Sequence, residues 1–215
     1  MNERTPPLVQ PPDLAALPPV YEFLAARAVA ALAVEGGLHP ALLALAVPPG
    51  ATSAVATALI DPQLVDALQR DATRKETLMA LVRSLLSVEH PVHQSVADAM
   101  GAHPNLIVHV SEAWIVAQPI EAGRESLERF KGSLEHHPAR TEAITISMHC
   151  LRGSFIGVCP MTRDADGRAS ATVRPLDTNA ETWRGRFNVH SEATELAVVA
   201  AAAVSGGAAS GTRPQ

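Results

Sequence analysis

Aromatic side chains are nearly missing from this sequence. Tryptophan, tyrosine and phenylalanine together make up 3% of its 215 residues, although 47% of the chain is hydrophobic. A core of that composition must come from Ala, Leu, Val and Ile, and it depends on close approach of helices and sheet rather than on ring anchors. Basic clusters are missing too. The net charge is −5, and the densest basic stretch, 70–83, sets Arg74 and Lys75 beside Asp71 and Glu76. That is the pattern of a solvated helix face, and it speaks against a general nucleic-acid binder, which needs a basic surface against phosphate. Cysteine is limited to Cys150 and Cys159, which fits a reducing compartment. Neither the Walker pattern nor the dinucleotide fingerprint occurs, so no cofactor is expected. No secretory leader pattern is visible: the first strongly apolar run, 23–34, follows Asp13 and Glu22 and contains Arg27. The other, 196–204, is far shorter than the roughly 20 residues of a spanning helix. A cytoplasmic protein without a membrane segment is the expectation.

The length suits one well-buried core with decorated ends, and a charged fraction of 18% argues against disorder for most of it. Residues 1–19 contain Pro6, Pro7, Pro11, Pro12, Pro18 and Pro19, and proline both fixes φ and removes amide donors, so this stretch is expected as an arm. A first helix is expected over 20–34, stopped by Gly36 and Gly37. The apolar run 41–47 suits a buried strand, although a helical turn would look the same, and 52–60 is ambiguous. Asp61-Pro62 opens the clearest helix, because Asp caps free amides and Pro is favoured in the first turn. Its apolar stripe continues to Leu86, loosens near 73–76, and is expected to end at Pro91.

Residues 106–117 are the best strand, rich in Val and Ile. If 41–47 is also a strand, the long helix between them makes a crossover that sets the two parallel. After a polar stretch at 118–141, with a short helix around 124–131, the runs 143–151 and 155–162 flank Arg152-Gly153 as a hairpin. Pairing Leu151 with Ser154 puts Ile144, Ile146, Met148, Cys150, Phe155, Gly157, Cys159 and Met161 on one face. The other face carries Thr145, Ser147 and His149, but also Ile156 and Val158. Cys150 and Cys159 then share a face without being opposite, too far apart for a disulfide, so two buried free thiols are expected. A turn at 164–167 leads to a further strand over 169–173. The tail is expected to hold a strand at 186–190 and a helix at 192–204. The fold class is therefore α+β: a mostly antiparallel sheet, a meander at about 106–175, packed with helices. The organisation is an arm at 1–19, a single domain at 20–204 and a flexible tail at 205–215.

The stretch Ser111-Glu112-Ala113-Trp114, followed by His137-Pro138-Ala139-Arg140-Thr141-Glu142, resembles a pattern in uncharacterised bacterial and phage proteins. There a strand ending in Ser-Glu-Ala-Trp precedes a polar His-Pro-x-Arg-x-Glu loop and another strand. The resemblance covers about residues 106–163. It implies an organisation and no reaction, and it carries over no catalytic residue.

Glu112 is the most interesting single residue, because alternation puts it on the face of Val108, Val110 and Trp114. A carboxylate among apolar neighbours must be paired or protonated. Either it is an acid, base or ligand group lining a pocket, or it forms a structural pair with a loop arginine such as Arg140. His109 cannot join it, since positions 109 and 112 point to opposite faces. His109 and Ser111 do share a face, and with His149 they make a Ser/His arrangement conceivable, although no nucleophile-elbow motif or orienting acid accompanies it. His90, His93 and His103 are the candidate metal ligands, but Pro91 interrupts their alignment and the spacing matches no standard zinc site. Histidines at a helix end are the plainer alternative.

Two functions follow. The first is a non-catalytic binding or regulatory module, with pairing of two copies through the half-apolar sheet face that carries Ile156 and Val158. The second is a small hydrolase or transferase using Glu112 with the loop residues His136, His137 and Arg140, since such loops often carry function on a rigid scaffold.

Overall fold

The computed structural model describes residues 9–70, 74–116, 138 and 140–176. The elements expected at 124–131, 186–190 and 192–204 lie outside these residues, as do His136 and His137. The chain enters through a 3₁₀ turn, Leu14–Ala16, and α1, Leu17–Glu35. This helix starts earlier than the sequence suggests, because Pro18 and Pro19 fall in its first turn, where backbone amides have no helical partner to lose. It ends as expected: Gly36 takes φ 73 and returns its amide to the Leu32 carbonyl. Leu17, Tyr21, Ala25, Ala28 and Leu32 recur every three to four residues and are all buried. By length and composition Leu14–Glu35 is also apolar enough to cross a membrane. Its inner stripe, however, is packed on the sheet.

β1 (Ala41–Ala46) and β2 (Ala56–Leu59) form a hairpin. Then come α2 (Pro62–Arg70), α3 (Arg74–Leu86) and α4 (Pro91–Met100). Asp61 caps α2 as expected, accepting the Gln63 amide at 2.8 Å. Pro91 does not end this helical run but starts its last member. His90, in extended conformation, accepts the Val92 amide, and Pro91 occupies the first turn, the position where proline is favoured.

The strands β3 (Leu106–Val116), β4 (Arg140–Cys150), β5 (Gly153–Arg163) and β6 (Ala169–Ala171) complete a six-stranded sheet of order β2-β1-β3-β4-β5-β6. Every neighbouring pair is antiparallel. The class is α+β, and β3 to β6 form the expected meander. The expected parallel pairing of β1 with β3 is corrected: Leu43 lies opposite Val108 in antiparallel register. The reason is β2. Because this ambiguous stretch is a strand, the chain reverses once more before entering the helices, and the crossover joins β2 to β3 with β1 between them.

The β4–β5 register also differs from expectation. Cys150 faces Gly153, Met148 faces Phe155 and Ile144 faces Cys159. Leu151-Arg152 is the two-residue connection, and Gly153 takes φ 143, open only to glycine. The slip is two positions, so every residue keeps its expected face. Both thiols are buried and free. Cys159 sits opposite Ile144, six residues or about 20 Å along the strand from Cys150.

One face of the sheet meets α1. Leu106, Val108, Val110, Ile144, Ile146, Met148, Phe155 and Cys159 pack there. At its centre a Cβ on Gly157 would stand 1.8 Å from Tyr21 Cε2; the tyrosine ring lies directly on the glycine backbone. The other face is covered by α2, α3 and α4 over β1, β2 and the start of β3, where Leu42, Ala44, Val65, Leu81, Leu85, Val96 and Ile107 form a second cluster.

Candidate functional site

Glu112 lies on the α1 side of β3, near the exposed end of that face. Its Oε1 accepts the Leu38 amide at 2.6 Å, and its Oε2 stands 3.9 Å from Arg163. Arg163 in turn makes a 2.7 Å bond to Glu142, and that bond first, then Glu112, raises its pKa further. The carboxylate therefore fastens the loop after α1 to the sheet. One of the two readings of Glu112 pairs it with a loop arginine such as Arg140; the arginine near it is Arg163. Arg140 stacks its guanidinium 4.9 Å from the Trp114 ring, whereas Arg163, two strands away in the sheet, reaches Glu112. Arg140 and His149 do not converge on Glu112: Arg140 is at the opposite end of β4 from His149.

The candidate metal ligands divide. His93 is fully buried in α4. Its Nδ1 lies 2.7 Å from the Leu85 carbonyl and its Nε2 lies 2.9 Å from His103 Nδ1. A carbonyl only accepts, so His93 Nδ1 carries the proton, Nε2 is the acceptor, and His103 Nδ1 donates. Leu85 is in the last turn of α3, where carbonyls lack helical partners, so His93 completes that helix end. Burial lowers its pKa, helped by His103 and opposed by the Leu85 bond. His90 is spent as a cap. Among the described residues no group of three or more His, Cys, Asp or Glu could hold a metal ion.

The sheet's second face is different. On this face alternation brings His109 and Ser111 of β3 beside Ser147 and Thr145 of β4, directly opposite in the ladder. His149 is one step further along β4, diagonal to His109, and Ser154 faces it on β5. His109, Ser111 and His149 are buried; Thr145 and Ser147 are half-buried and Ser154 is exposed. Ser111 and Thr145 hydroxyls stand 3.2 Å apart, and His149 Nδ1 lies 2.8 Å from Ser154 Oγ. Desolvation pushes the pKa of His109 down to about 4. The same cause, with His109 second, takes His149 to about 4. Both rings are therefore neutral at neutral pH. Each offers one N–H donor and one nitrogen acceptor, and the hydroxyls around them both donate and accept. Ile156 is buried in the single chain and Val158 half-buried, which leaves little of the apolar strip that motivates pairing two copies through this face.

Sequence reasoning put His109, Ser111 and His149 together, because that needs only strand parity. It missed Ser154 as the partner of His149, because the assumed hairpin register set Ser154 opposite Leu151. It also missed Arg163, since nothing local links positions 112 and 163.

Compared with protein-family models, curated proteins and solved structures, the chain matches none of them.

Proposed function

We propose that this protein is a non-catalytic binding module that takes an uncharged, hydrogen-bonding ligand on the second face of β3, β4 and β5. The observation that carries this is the uncharged patch of His109, Ser111, Thr145, Ser147, His149 and Ser154. Two imidazoles and four hydroxyls are gathered here, none of them carrying a formal charge near pH 7. Such a surface matches amides and hydroxyls in both directions and gives no advantage to an anion or a cation. The involvement of Glu112 with Leu38 and Arg163, and of Arg140 with Trp114, supports the non-catalytic alternative over a hydrolase built on those residues.

The test is an NMR titration that follows the imidazole signals of His109 and His149. With N-methylacetamide or glycerol as probe, both signals shift in the wild type, and the shift shrinks in Ser147→Val. If inorganic phosphate moves them while the neutral probes do not, the proposal fails.

One observation favours a second possibility. The Ser154 hydroxyl on the His149 ring is the contact of a nucleophile with its base. A base so weakened by burial is poorly matched to neutral pH. A fluorophosphonate adduct on Ser154 that disappears in His149→Gln would establish hydrolytic chemistry instead.

A further inference from the structure

α1 is apolar on more than the side it buries. From Phe23 to Val34 every residue except Arg27 is Ala, Leu, Val or Phe. Ala25, Ala28 and Leu32 are buried against the sheet, with Leu24 and Val29 packed beside them. On the outer side Phe23 is 61% exposed and Val34 86%, and Ala26, Ala30 and Ala33 between them are exposed as well. A surface helix ordinarily turns polar groups to solvent, and a helix that is apolar all round is a covered one. α4 follows the ordinary pattern and turns out Gln94 and Asp98; α1 does not.

The chain itself carries a matching cover. The described residues end at Leu176, buried in the same cluster as the inner stripe of α1 and soon after β6, which also touches α1. Beyond it the sequence holds one uncharged apolar run, 196–204, made of Leu, Val and five alanines. The intervening 177–195 can span up to roughly 60 Å, whereas α1, with 19 residues, is about 28 Å long. Every point on α1 is therefore within reach. Alanine on both partners allows the close backbone approach that a core poor in rings depends on. Arg27 is the only basic residue of α1, and Glu192 and Glu195 directly precede the run. If the run follows the direction of α1, both acids lie at the Arg27 end and Glu35 faces uncharged residues.

We propose that the run 196–204 covers the outer face of α1, in the same direction as the helix, between Phe23 and Val34. The tether decides the occupant. It holds the run near this face at a roughly millimolar effective concentration, which a second copy reaches only at millimolar protein. The run is also far too short to cross a membrane, and on α1 its apolar side chains need no lipid.

Paramagnetic broadening in the full chain tests this. Cys150 and Cys159 are buried, so a nitroxide is placed through Ser205→Cys, just past the run. The amide signals of Ala30, Ala33 and Val34 are expected to be lost, that of Phe23 to be weakened less, and that of Val96, on the far side of the sheet, to be retained. Val34→Asp puts a charge at an already exposed position, and should restore the Ala30 and Ala33 signals in an otherwise folded spectrum. Should that variant not fold, Val199→Asp within the run gives the same reading. Mixing isotope-labelled chain without nitroxide and nitroxide-bearing chain without isotope should give no loss. Signals that fade evenly or not at all, or a loss that persists with the added Asp, overturn the proposal. So do an equal loss in the mixed sample, which assigns the face to a second copy, and pelleting with phosphatidylcholine vesicles, which assigns it to a lipid surface.

Discussion

Gly157 and Tyr21 show how one residue sets the spacing of two layers. With so few rings in the chain, the core needs backbones close together, and one close approach is where the Tyr21 ring rests on a residue with no side chain. The Tyr21 hydroxyl meets the Cys159 sulfur at 3.4 Å, and burial, more than that bond, raises its pKa. Gly157→Ala cannot be absorbed by a flexible chain end, because the ring itself occupies the space. It is expected to lower stability by about 2–3 kcal/mol, in the range of overpacked cores. Urea denaturation reads this directly. Tyr21→Leu in the same chain should recover part of the loss; equal losses with and without that second change would mean that the ring is not the obstacle. The sequence showed Gly157 as the one non-apolar member of its face and gave no reason for it. The reason is a contact between positions 136 residues apart in sequence, which no local pattern contains.

At the scale of elements, what could be deduced from sequence was whatever depends on parity and periodicity. The faces of β4 and β5 survived a register slip of two because side chains alternate with period two, and the capped start of α2 followed from Asp61-Pro62. What could not be deduced depended on partners. β2 is too short and too alanine-rich for its pattern to exceed that of a turn, and with it went the orientation of β1 against β3. Pro91 starts a helix rather than ending one, because proline serves either role and the flanking residues decide. The connection of α4 is a case where residue identity matters beyond burial. His93 satisfies the Leu85 carbonyl and, through His103, joins α4 to the approach of β3. His93→Leu keeps the volume but leaves that carbonyl and the His103 donor without partners, so a loss of about 2–4 kcal/mol is expected from two unsatisfied groups. His93→Gln retains one donor and should lose less. If thermal denaturation ranks the two variants the other way, the side chain matters for its volume and not for its hydrogen bonds.

For the whole molecule, the second sheet face dictates how stability responds to acid. His109 and His149 have pKa values near 4 in the folded chain and about 6.5 when unfolded. Above pH 6.5 both states hold neutral rings and the histidines contribute nothing to the pH dependence. Between pH 6.5 and 4 the unfolded chain binds protons that the folded chain refuses, so stability falls as pH falls. The loss is complete below pH 4 and amounts to about 3 kcal/mol for each ring. His93, with its pKa also lowered, acts in the same direction. Most of this window lies above the ordinary carboxylate range, so the histidines can be separated from general acid unfolding. The expected outcome is a urea midpoint that drops steadily from pH 6.5 to 4.5 in the wild type. In a His109→Gln, His149→Gln variant, where no ring is left on this face to take up a proton, the slope should flatten to what His93 supplies. A wild-type midpoint that is level across that interval would mean that both rings accept protons without unfolding the sheet. In that case the face is open to water and to charge, and the case for an uncharged ligand there fails with it.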